Sequence, residues 1–294
     1  MESLRAALRE AARRLEGRVD SPRIDAELLL QHVLGCGRTE LFSTPERALS
    51  EEQGGLLEEL VTRRGGGEPL QYLTRRQAFR RLDLLVGPGV LVPRPETEIV
   101  VEHALARLTG LTAPLVVDLG AGSGAIALAV ATERPDAQVW AIEISPEAAA
   151  WARRNVERVA PARVTVLEGD LFQPLPDGLR GRLDLVVTNP PYLSNADLER
   201  VAPDVADHEP RVATVAGRSG LEIAKRVAVE SLEWLRRGGW LVMETHPGQA
   251  GRLASLLGAG YVEVSLHEDL AGALRVAEGR ACPPPARHSI TEAG

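Results

Sequence analysis

The sequence is poor in aromatic side chains, cysteine and lysine, and each shortage excludes a class of function. Aromatic residues make up only 3% of the 294 residues, which argues against a surface of stacked rings for single-stranded nucleic acid. Cys36 and Cys282 are too few for a disulfide framework and are typical of a reducing compartment. Lys225 is the single lysine, and a net charge of −7 predicts no general affinity for nucleic acid or anionic membranes.

Long apolar runs are also missing. No stretch approaches the ~18 apolar residues that a membrane-spanning helix needs. The first residues, MESLRAALREAARRLEG, are charged and lack the apolar segment of a signal peptide. Apolar residues nevertheless make up 44% of the chain, which is enough for a substantial core. We therefore expect a cytoplasmic protein with no membrane partner and no metal.

Residues 1–73 are predicted to form a small helical domain. Leu4, Leu8 and Ala12 recur at helical spacing, and Ser50 is a predicted N-cap for the helix that follows it. Ten arginines and thirteen carboxylates leave this segment with a net charge of −3. This balance favours a domain that packs on or recognises protein over one that binds nucleic acid.

Residues 74–97 are rich in glycine and proline and are predicted to form a β-hairpin linker. The runs LDLLV and GVLVP could pair across the turn Gly87-Pro88-Gly89. The segment PRPETE then leads into a helix, with Thr97 as its predicted N-cap.

Residues 98–294 alternate between strand and helix patterns, which predicts an α/β domain with a doubly wound, mostly parallel sheet. The strands read PLVVDLG, QVWAIEIS, RVTVLEGD, LDLVVTNPPY and WLVMET, and YVEVSL with ALRVAEG could form a closing hairpin. Ligands bind such sheets beyond the carboxyl ends of the strands. The segments DLGAGSG and NPPY both lie at these ends.

The glycines of VVDLGAGSGAIAL follow the first strand and precede a helix. Gly120, Gly122 and Gly124 allow the backbone to turn sharply and to approach a ligand closely. Their spacing is G-x-G-x-G after Asp118, and the dinucleotide fingerprint is G-x-G-x-x-G. The pattern favours S-adenosylmethionine over a pyrophosphate cofactor, although glycine loops alone are weak signals.

Acidic residues at the ends of the next two strands make this interpretation more specific. Glu143 ends the second strand and can accept hydrogen bonds from both ribose hydroxyls. Asp170, after the third strand, can accept from the adenine amino group, with Leu171 and Phe172 against the ring. A single strand-end acid would more often be a solvated surface group, but three strand ends in order favour a cofactor site.

The motif at the end of LDLVVTNPPYL stops a strand, because neither Pro190 nor Pro191 can donate to a sheet ladder. Together with the glycine loop and the strand-end acids, it resembles the class I S-adenosylmethionine-dependent methyltransferases, which implies a seven-stranded sheet. GEPLQYL, LVPRPETE, NPPYL and HEPR, from residues 67 to 211, further resemble the release factor glutamine methyltransferase family. The sequence departs from that family's pattern at Arg75, Ala78 and Arg218 and in the segment LAGALRV.

The resemblance implies methyl transfer to the side-chain nitrogen (N5) of glutamine in the Gly-Gly-Gln motif of class I peptide chain release factors. The side-chain oxygen of Asn189 and the carbonyl of Pro190 would each accept one amide hydrogen of the substrate, and Tyr192 would pack on the amide plane. We expect a monomer that does not bind nucleic acid directly.

The resulting candidate residues fall into three overlapping sets. Asn189, Pro190 and Tyr192 form the catalytic set, and the substrate-binding set adds Pro191. The cofactor-binding set comprises Gly120, Ala121, Gly122, Ser123, Gly124, Glu143, Asp170, Leu171 and Asn189.

Two other functions remain compatible with the motifs. NPPY also occurs in enzymes that methylate amino groups of adenine or guanine, but the acidic charge and scarce aromatics argue against a nucleic-acid substrate. A cofactor-binding scaffold without catalysis is disfavoured because Asn189 and the glycines are intact.

Overall fold

The structure is a computed structural model, and it describes residues 2–196 and 208–282. The chain divides into two compact units. The described residues of the first are 2–77, 85–88 and 208–209, and those of the second are 78–84, 89–196 and 210–282. No helix in these described ranges is long and apolar enough to cross a membrane.

The first unit is helical, as predicted. Its helices are α1 (Leu4–Leu15), α2 (Pro22–Leu34), α3 (Arg38–Ser43), α4 (Glu51–Gly65) and α5 (Leu70–Thr74). Leu15, Leu29 and Leu30 are fully buried in its core. The predicted cap at Ser50 is confirmed, because its hydroxyl accepts from the Gln53 N–H while the Gln53 side chain accepts from the Ser50 N–H.

A hairpin follows, but the predicted pairing of its strands was wrong. LDLL forms β2 (Leu82–Leu85) and pairs with the preceding β1 (Arg76–Phe79), not with GVLVP. The turn is fixed by Arg80, whose N–H donates to Glu98 (2.7 Å) and whose guanidinium pairs with Glu133 (2.9 Å). Arg75, between α5 and β1, has a φ of 60°, the left-handed conformation that glycine adopts most readily, so the chain ends α5 in this way without glycine.

The second unit contains the seven-stranded sheet that the sequence predicts. Its strands are β3 (Leu115–Leu119), β4 (Gln138–Glu143), β5 (Val164–Glu168), β6 (Leu183–Thr188), β9 (Leu235–Glu244), β10 (Tyr261–Glu268) and β11 (Leu274–Ala281). The strand order is β10-β11-β9-β6-β3-β4-β5, and only β11 runs against its neighbours. The short strands β7 (Leu193–Ser194) and β8 (Val215–Gly217) form a separate parallel pair.

Helices cover both faces of this sheet, so alternate strand residues enter two different cores. Val116 packs in one core, and its neighbour Val117 packs in the other. A 3₁₀ turn, Pro95–Thr97, precedes the first helix. The helices are α6 (Glu98–Arg107), α7 (Ala125–Glu133), α8 (Pro146–Val159), α9 (Arg211–Thr214), α10 (Glu222–Trp234) and α11 (Ala250–Leu257).

The antiparallel edge is joined to α6 by an ion pair whose carboxylate is buried. Glu278 on β11 accepts from Arg107 Nε (2.9 Å) and lies 2.7 Å from His267 Nε2, with His103 close by. Burial raises the pKa of Glu278, but hydrogen bonds with His103, Arg107 and His267 outweigh it and hold the pKa well below its usual range. The two histidines and Glu278 bring metal-ligating atoms within 4.8 Å of one another, yet Arg107 already engages both carboxylate oxygens.

The connections between strands create a crevice at the centre of the sheet. From β3 the chain builds β4 and β5 on one side, and it then returns to place β6 on the other side of β3. Leu119 at the end of β3 is in register with Thr188 at the end of β6. The glycine loop and NPPY therefore begin side by side at the switch point, where ligands bind in sheets of this type.

Candidate active site

The glycine loop has the backbone conformation that its sequence predicts. Gly120, Gly122 and Gly124 all have positive φ, at 67°, 56° and 83°. Such values strain other residues, so the tight path between β3 and α7 depends on glycine here. The Asp118 carboxylate at the base of the loop accepts from the Ala127 N–H (3.0 Å), and burial raises its pKa to about 8.

Glu143 ends β4 and is buried against the glycine loop. One of its carboxylate oxygens accepts from the Gly122 N–H (2.8 Å), and the other accepts from the Ser145 N–H (2.9 Å). Burial raises the pKa of Glu143, and the two amides oppose this by favouring the charged form. The residue therefore holds the loop in shape as well as facing the cleft.

The end of β5 differs in part from the sequence prediction. Asp170 and Leu171 line the cleft, and the Asp170 carboxylate is held by both terminal nitrogens of Arg226 on α10, at 3.1 and 3.0 Å. Phe172 does not lie where the adenine ring was expected. It is buried in the core and stacks on Trp234, with ring centroids 5.6 Å apart.

Asn189 leaves β6 at the level of the glycine loop. The preceding residue, Thr188, donates from its hydroxyl to the Leu119 carbonyl (2.7 Å), which joins the ends of the two strands. Asn189 Nδ2 donates to the Thr97 hydroxyl (3.2 Å), and within the described residues its Oδ1 has no hydrogen-bond partner. Thr97 is the N-cap residue of α6, as predicted, but its side chain makes no cap hydrogen bond and contacts Asn189 instead.

Tyr192 is held by its backbone rather than by its ring. Its carbonyl accepts from the Gln249 side chain (2.8 Å), and its ring lies 5.8 Å from the His246 ring. Burial raises the pKa of the Tyr192 phenol, so the ring stays neutral. Contact between this ring and a substrate amide stays a prediction.

One cleft in the second unit brings most of the candidate residues together. Those that line it are Gly120, Ala121, Gly122, Ser123, Glu143, Asp170, Leu171, Asn189, Pro190 and Pro191. Gly124 and Tyr192 are not among its lining residues. The cleft is also lined by Arg94 and Thr97 from the PRPETE segment.

Several residues that support the site were not identified from the sequence. They are Gly220, Arg226, Glu244 and Gln249. Glu244 had a usable signal, because it is an acid at the end of a buried strand, as Glu143 is. Arg226 lies in α10, Gly220 lies just before that helix, and Gln249 ends the turn before α11. At these places the local sequence pattern indicates only helix and turn.

Gly220→Ala is expected to disturb the NPPY segment. Gly220 has a φ of 75°, and an added Cβ would overlap the Tyr192 carbonyl oxygen and lie 2.5 Å from Gln249 Nε2. We expect about 1–3 kcal/mol lower free energy of unfolding, with a lower kcat/KM.

Denaturant unfolding and steady-state kinetics measure both effects. Gly251→Ala is the control, because an added Cβ there meets nothing within 4 Å. Wild-type kinetics in Gly220→Ala would show that the contact with Tyr192 does not hold the segment.

Family models match both parts of the chain. The PrmC N-terminal domain matches residues 6–74, and the methyltransferase small domain matches residues 96–208. The chain resembles the catalytic domain of hMettl16 (18% identity, 79% of this chain and 82% of that one, TM-score 0.54). It also resembles the T. thermophilus 16S rRNA methyltransferase RsmC (19% identity, 70% and 50% coverage, TM-score 0.51). With this sheet order and the methyltransferase small domain, these likenesses define a class I methyltransferase fold.

Full-length relatives define the family within that class. Release factor glutamine methyltransferase from Streptomyces coelicolor is 40% identical over 97% of this chain and 100% of its own length. The Geobacter sulfurreducens protein is 42% identical over 89% and 90%, and the Escherichia coli protein is 41% identical over 93% and 97%. The chain belongs to the release factor glutamine methyltransferase family.

Proposed function

We propose that this chain transfers a methyl group from S-adenosylmethionine to the side-chain amide nitrogen of the glutamine in the Gly-Gly-Gln motif of class I release factors. The observation that carries the proposal is the position of Asn189 beside the glycine loop, with its Nδ2 bonded to Thr97 and its Oδ1 left to accept. The family relatives favour this substrate over the amino group of a nucleic-acid base.

The cleft has the donor and acceptor groups that S-adenosylmethionine requires. Glycine amides line one side, the carboxylates of Glu143 and Asp170 line another, and Leu171 adds an apolar surface. The Ser123 hydroxyl is buried in the cleft wall and has no hydrogen-bond partner within the described residues, so a polar ligand group would satisfy it. When bound, the cofactor supplies an electrophilic methyl group.

An amide nitrogen is a poor nucleophile, because its lone pair is delocalised into its carbonyl. The residues of NPPY compensate for this by orienting the amide and stabilising charge on its nitrogen. Two acceptors, Asn189 Oδ1 and the Pro190 carbonyl, fix the plane of the substrate NH₂ group and favour positive charge on its nitrogen. The rigid prolines hold these acceptors in position. Orientation of this kind is worth ~7–11 kcal/mol in well-aligned reactions. No general base is needed before transfer, since the nitrogen loses its proton readily afterwards.

Glu143→Ala is expected to weaken cofactor binding. The substitution removes the proposed ribose acceptors, and hydrogen bonds to charged groups are worth ~1.5–3 kcal/mol, or roughly 10- to 150-fold in affinity. It also releases the Gly122 and Ser145 amides. Calorimetry with S-adenosylhomocysteine measures the change.

Glu143→Gln separates the two effects, because it keeps one acceptor oxygen for the loop and removes the charge. Glu157→Ala, an exposed glutamate on α8, is the control. Unchanged affinity in Glu143→Ala would remove Glu143 from the cofactor site.

The partner and its compartment complete the proposal. We infer a cytoplasmic monomer whose substrate is an intact release factor and that makes no direct contact with nucleic acid. The net charge of −7 supports the last point.

The test is incubation with methyl-labelled S-adenosylmethionine and either purified release factor or a panel of nucleic acids. Mass spectrometry of the release factor should locate the label on the glutamine of Gly-Gly-Gln. Label on nucleic acid alone would favour the alternative substrate class.

A further inference from the structure

Glu244 is a buried carboxyl group that the proposed chemistry does not use. It ends β9, beside β6, where Met243 is in register with Thr188, so Glu244 lies level with the start of NPPY. Only 3% of the residue is exposed, and Oε2 has no hydrogen-bond partner within the described residues. A buried carboxyl group with an unpaired oxygen is costly, which indicates a role beyond packing.

Thr97 connects this carboxyl group to Asn189. The Thr97 hydroxyl accepts from Asn189 Nδ2 (3.2 Å), and it is close enough to the Glu244 carboxyl group to lower the pKa of that group by hydrogen bonding. An ionised carboxylate can only accept, so Thr97 must give it its single hydroxyl proton. The oxygen of Thr97 then offers only lone pairs to Asn189, and these require the NH₂ end of the asparagine.

The direction of the hydrogen bonds that link Glu244, Thr97 and Asn189 matters, because the two ends of an asparagine amide are almost identical in shape. With Nδ2 held by Thr97, Oδ1 is the end that meets the substrate NH₂ group. A reversed amide would set donor against donor and would lose one of the two acceptors that the reaction uses. Shape alone does not prevent this reversal, but the hydrogen-bond polarity does.

Protonation of Glu244 would remove the constraint. A neutral carboxyl group can donate to Thr97, and the Thr97 proton is then free to turn toward Asn189 and to stabilise the reversed amide. Burial raises the pKa of Glu244 to about 7, against the opposing effects of the Thr97 hydrogen bond and of Arg275. The other groups that act on it are Arg94 and Glu96, from the segment before α6, and Tyr192 lies within its electrostatic range.

We propose that Thr97 and Glu244 are positioning residues that fix the side-chain amide of Asn189 with Oδ1 toward the substrate. The proposal rests on the acceptor role of Asn189 in the proposed function. Thr97 of the PRPETE segment and Glu244 at the end of β9 therefore both orient Asn189, although they lie 147 positions apart in the chain. The proposal also makes the ionised form of Glu244 the active one, so kcat should rise as the pH increases through the range near neutrality.

The test compares Thr97→Val, Thr97→Ser and Glu244→Gln in the full-length enzyme, with intact release factor as substrate. Thr97→Val should lower kcat about tenfold with little change in KM, since it removes one hydrogen bond that orients a reacting contact. Thr97→Ser should restore kcat to within about threefold of wild type, because it keeps the hydroxyl. The controls are Thr109→Val and Glu268→Gln, both at exposed positions.

Glu244→Gln provides a readout that a merely structural role would not change. Glutamine can donate as well as accept and does not titrate, so the rise of kcat between about pH 6 and 8 should disappear. Cofactor affinity by calorimetry and the thermal midpoint should stay close to wild type in the variants that fold. If Thr97→Val is unstable, the pH profile of Glu244→Gln decides.

The outcomes separate this proposal from the function on which it rests. A wild-type pH profile in Glu244→Gln, or failure of serine to rescue Thr97, overturns the positioning role even when Asn189→Ala is inactive. Retained turnover in Asn189→Ala overturns the acceptor role itself, and the positioning role with it.

Discussion

Asn189→Ala is expected to lower kcat by about 10²- to 10³-fold, the effect of removing one preorganised polar group that stabilises charge in a transition state. In the proposed function its Oδ1 is the acceptor that orients the substrate amide, and alanine has no substitute for it. Cofactor affinity should change by no more than a few-fold, because adenosine recognition is assigned to the glycine loop, Glu143 and Asp170. Single-turnover kinetics and calorimetry measure the two effects separately.

The matched control is Asn195→Ala, at an exposed position six residues along the chain. It should keep wild-type turnover. An Asn189→Ala enzyme that retains even about a tenth of normal kcat would contradict the role given to this side chain.

Removal of the helical unit is expected to abolish most of kcat/KM for intact release factor and to leave cofactor binding in place. A glutamine beside two glycines offers little surface, whereas a standard protein interface buries ~1,600 Å². Residues outside the sheet must therefore supply contact area. A chain that starts at Arg76 removes the core of the helical unit, and its activity on a short Gly-Gly-Gln peptide should be as low as that of the full chain.

Full-length variants test the same prediction without truncation. Ile24 and Leu28 lie four residues apart on α2 and are 57% and 40% exposed, so they form an apolar patch on one helix face. We expect Ile24→Ser with Leu28→Ser to raise KM for release factor, whereas Val229→Ser on α10, at 59% exposure, serves as the control. A folded truncated chain that methylates release factor as well as the full enzyme would show that the helical unit serves another purpose.

Features of the fold that depend on local pattern were predictable from the sequence. The glycine loop, the strand ends at Glu143 and Asp170, and the position of NPPY all follow from short runs with clear periodicity. The cap at Ser50 is equally local, since it needs only the hydroxyl and Gln53 three residues later.

The errors arise where a distant residue decides the outcome. Thr97 has the residue type of an N-cap, but Asn189, 92 positions away, takes its hydroxyl. Phe172 follows the end of β5, where a contact with adenine was expected, yet it is buried in the core and stacks on Trp234 of α10. The β1–β2 turn is anchored through Arg80 to Glu98 and Glu133, which both lie outside the hairpin.

The adjacency of β3 and β6 has a consequence for how the enzyme is made. Leu119 and Thr188 are linked across 69 residues, so the ribosome releases the glycine loop well before its neighbour. At ~5–20 residues per second, this interval lasts roughly 3–14 seconds. During it β3 can pair with β4, and β4 with β5, but the other edge of β3 has no strand beside it, and such an edge is open to wrong partners. The part of the cleft that contains the glycine loop and Glu143 is thus synthesised first, and the NPPY part follows when β6 occupies the free edge of β3.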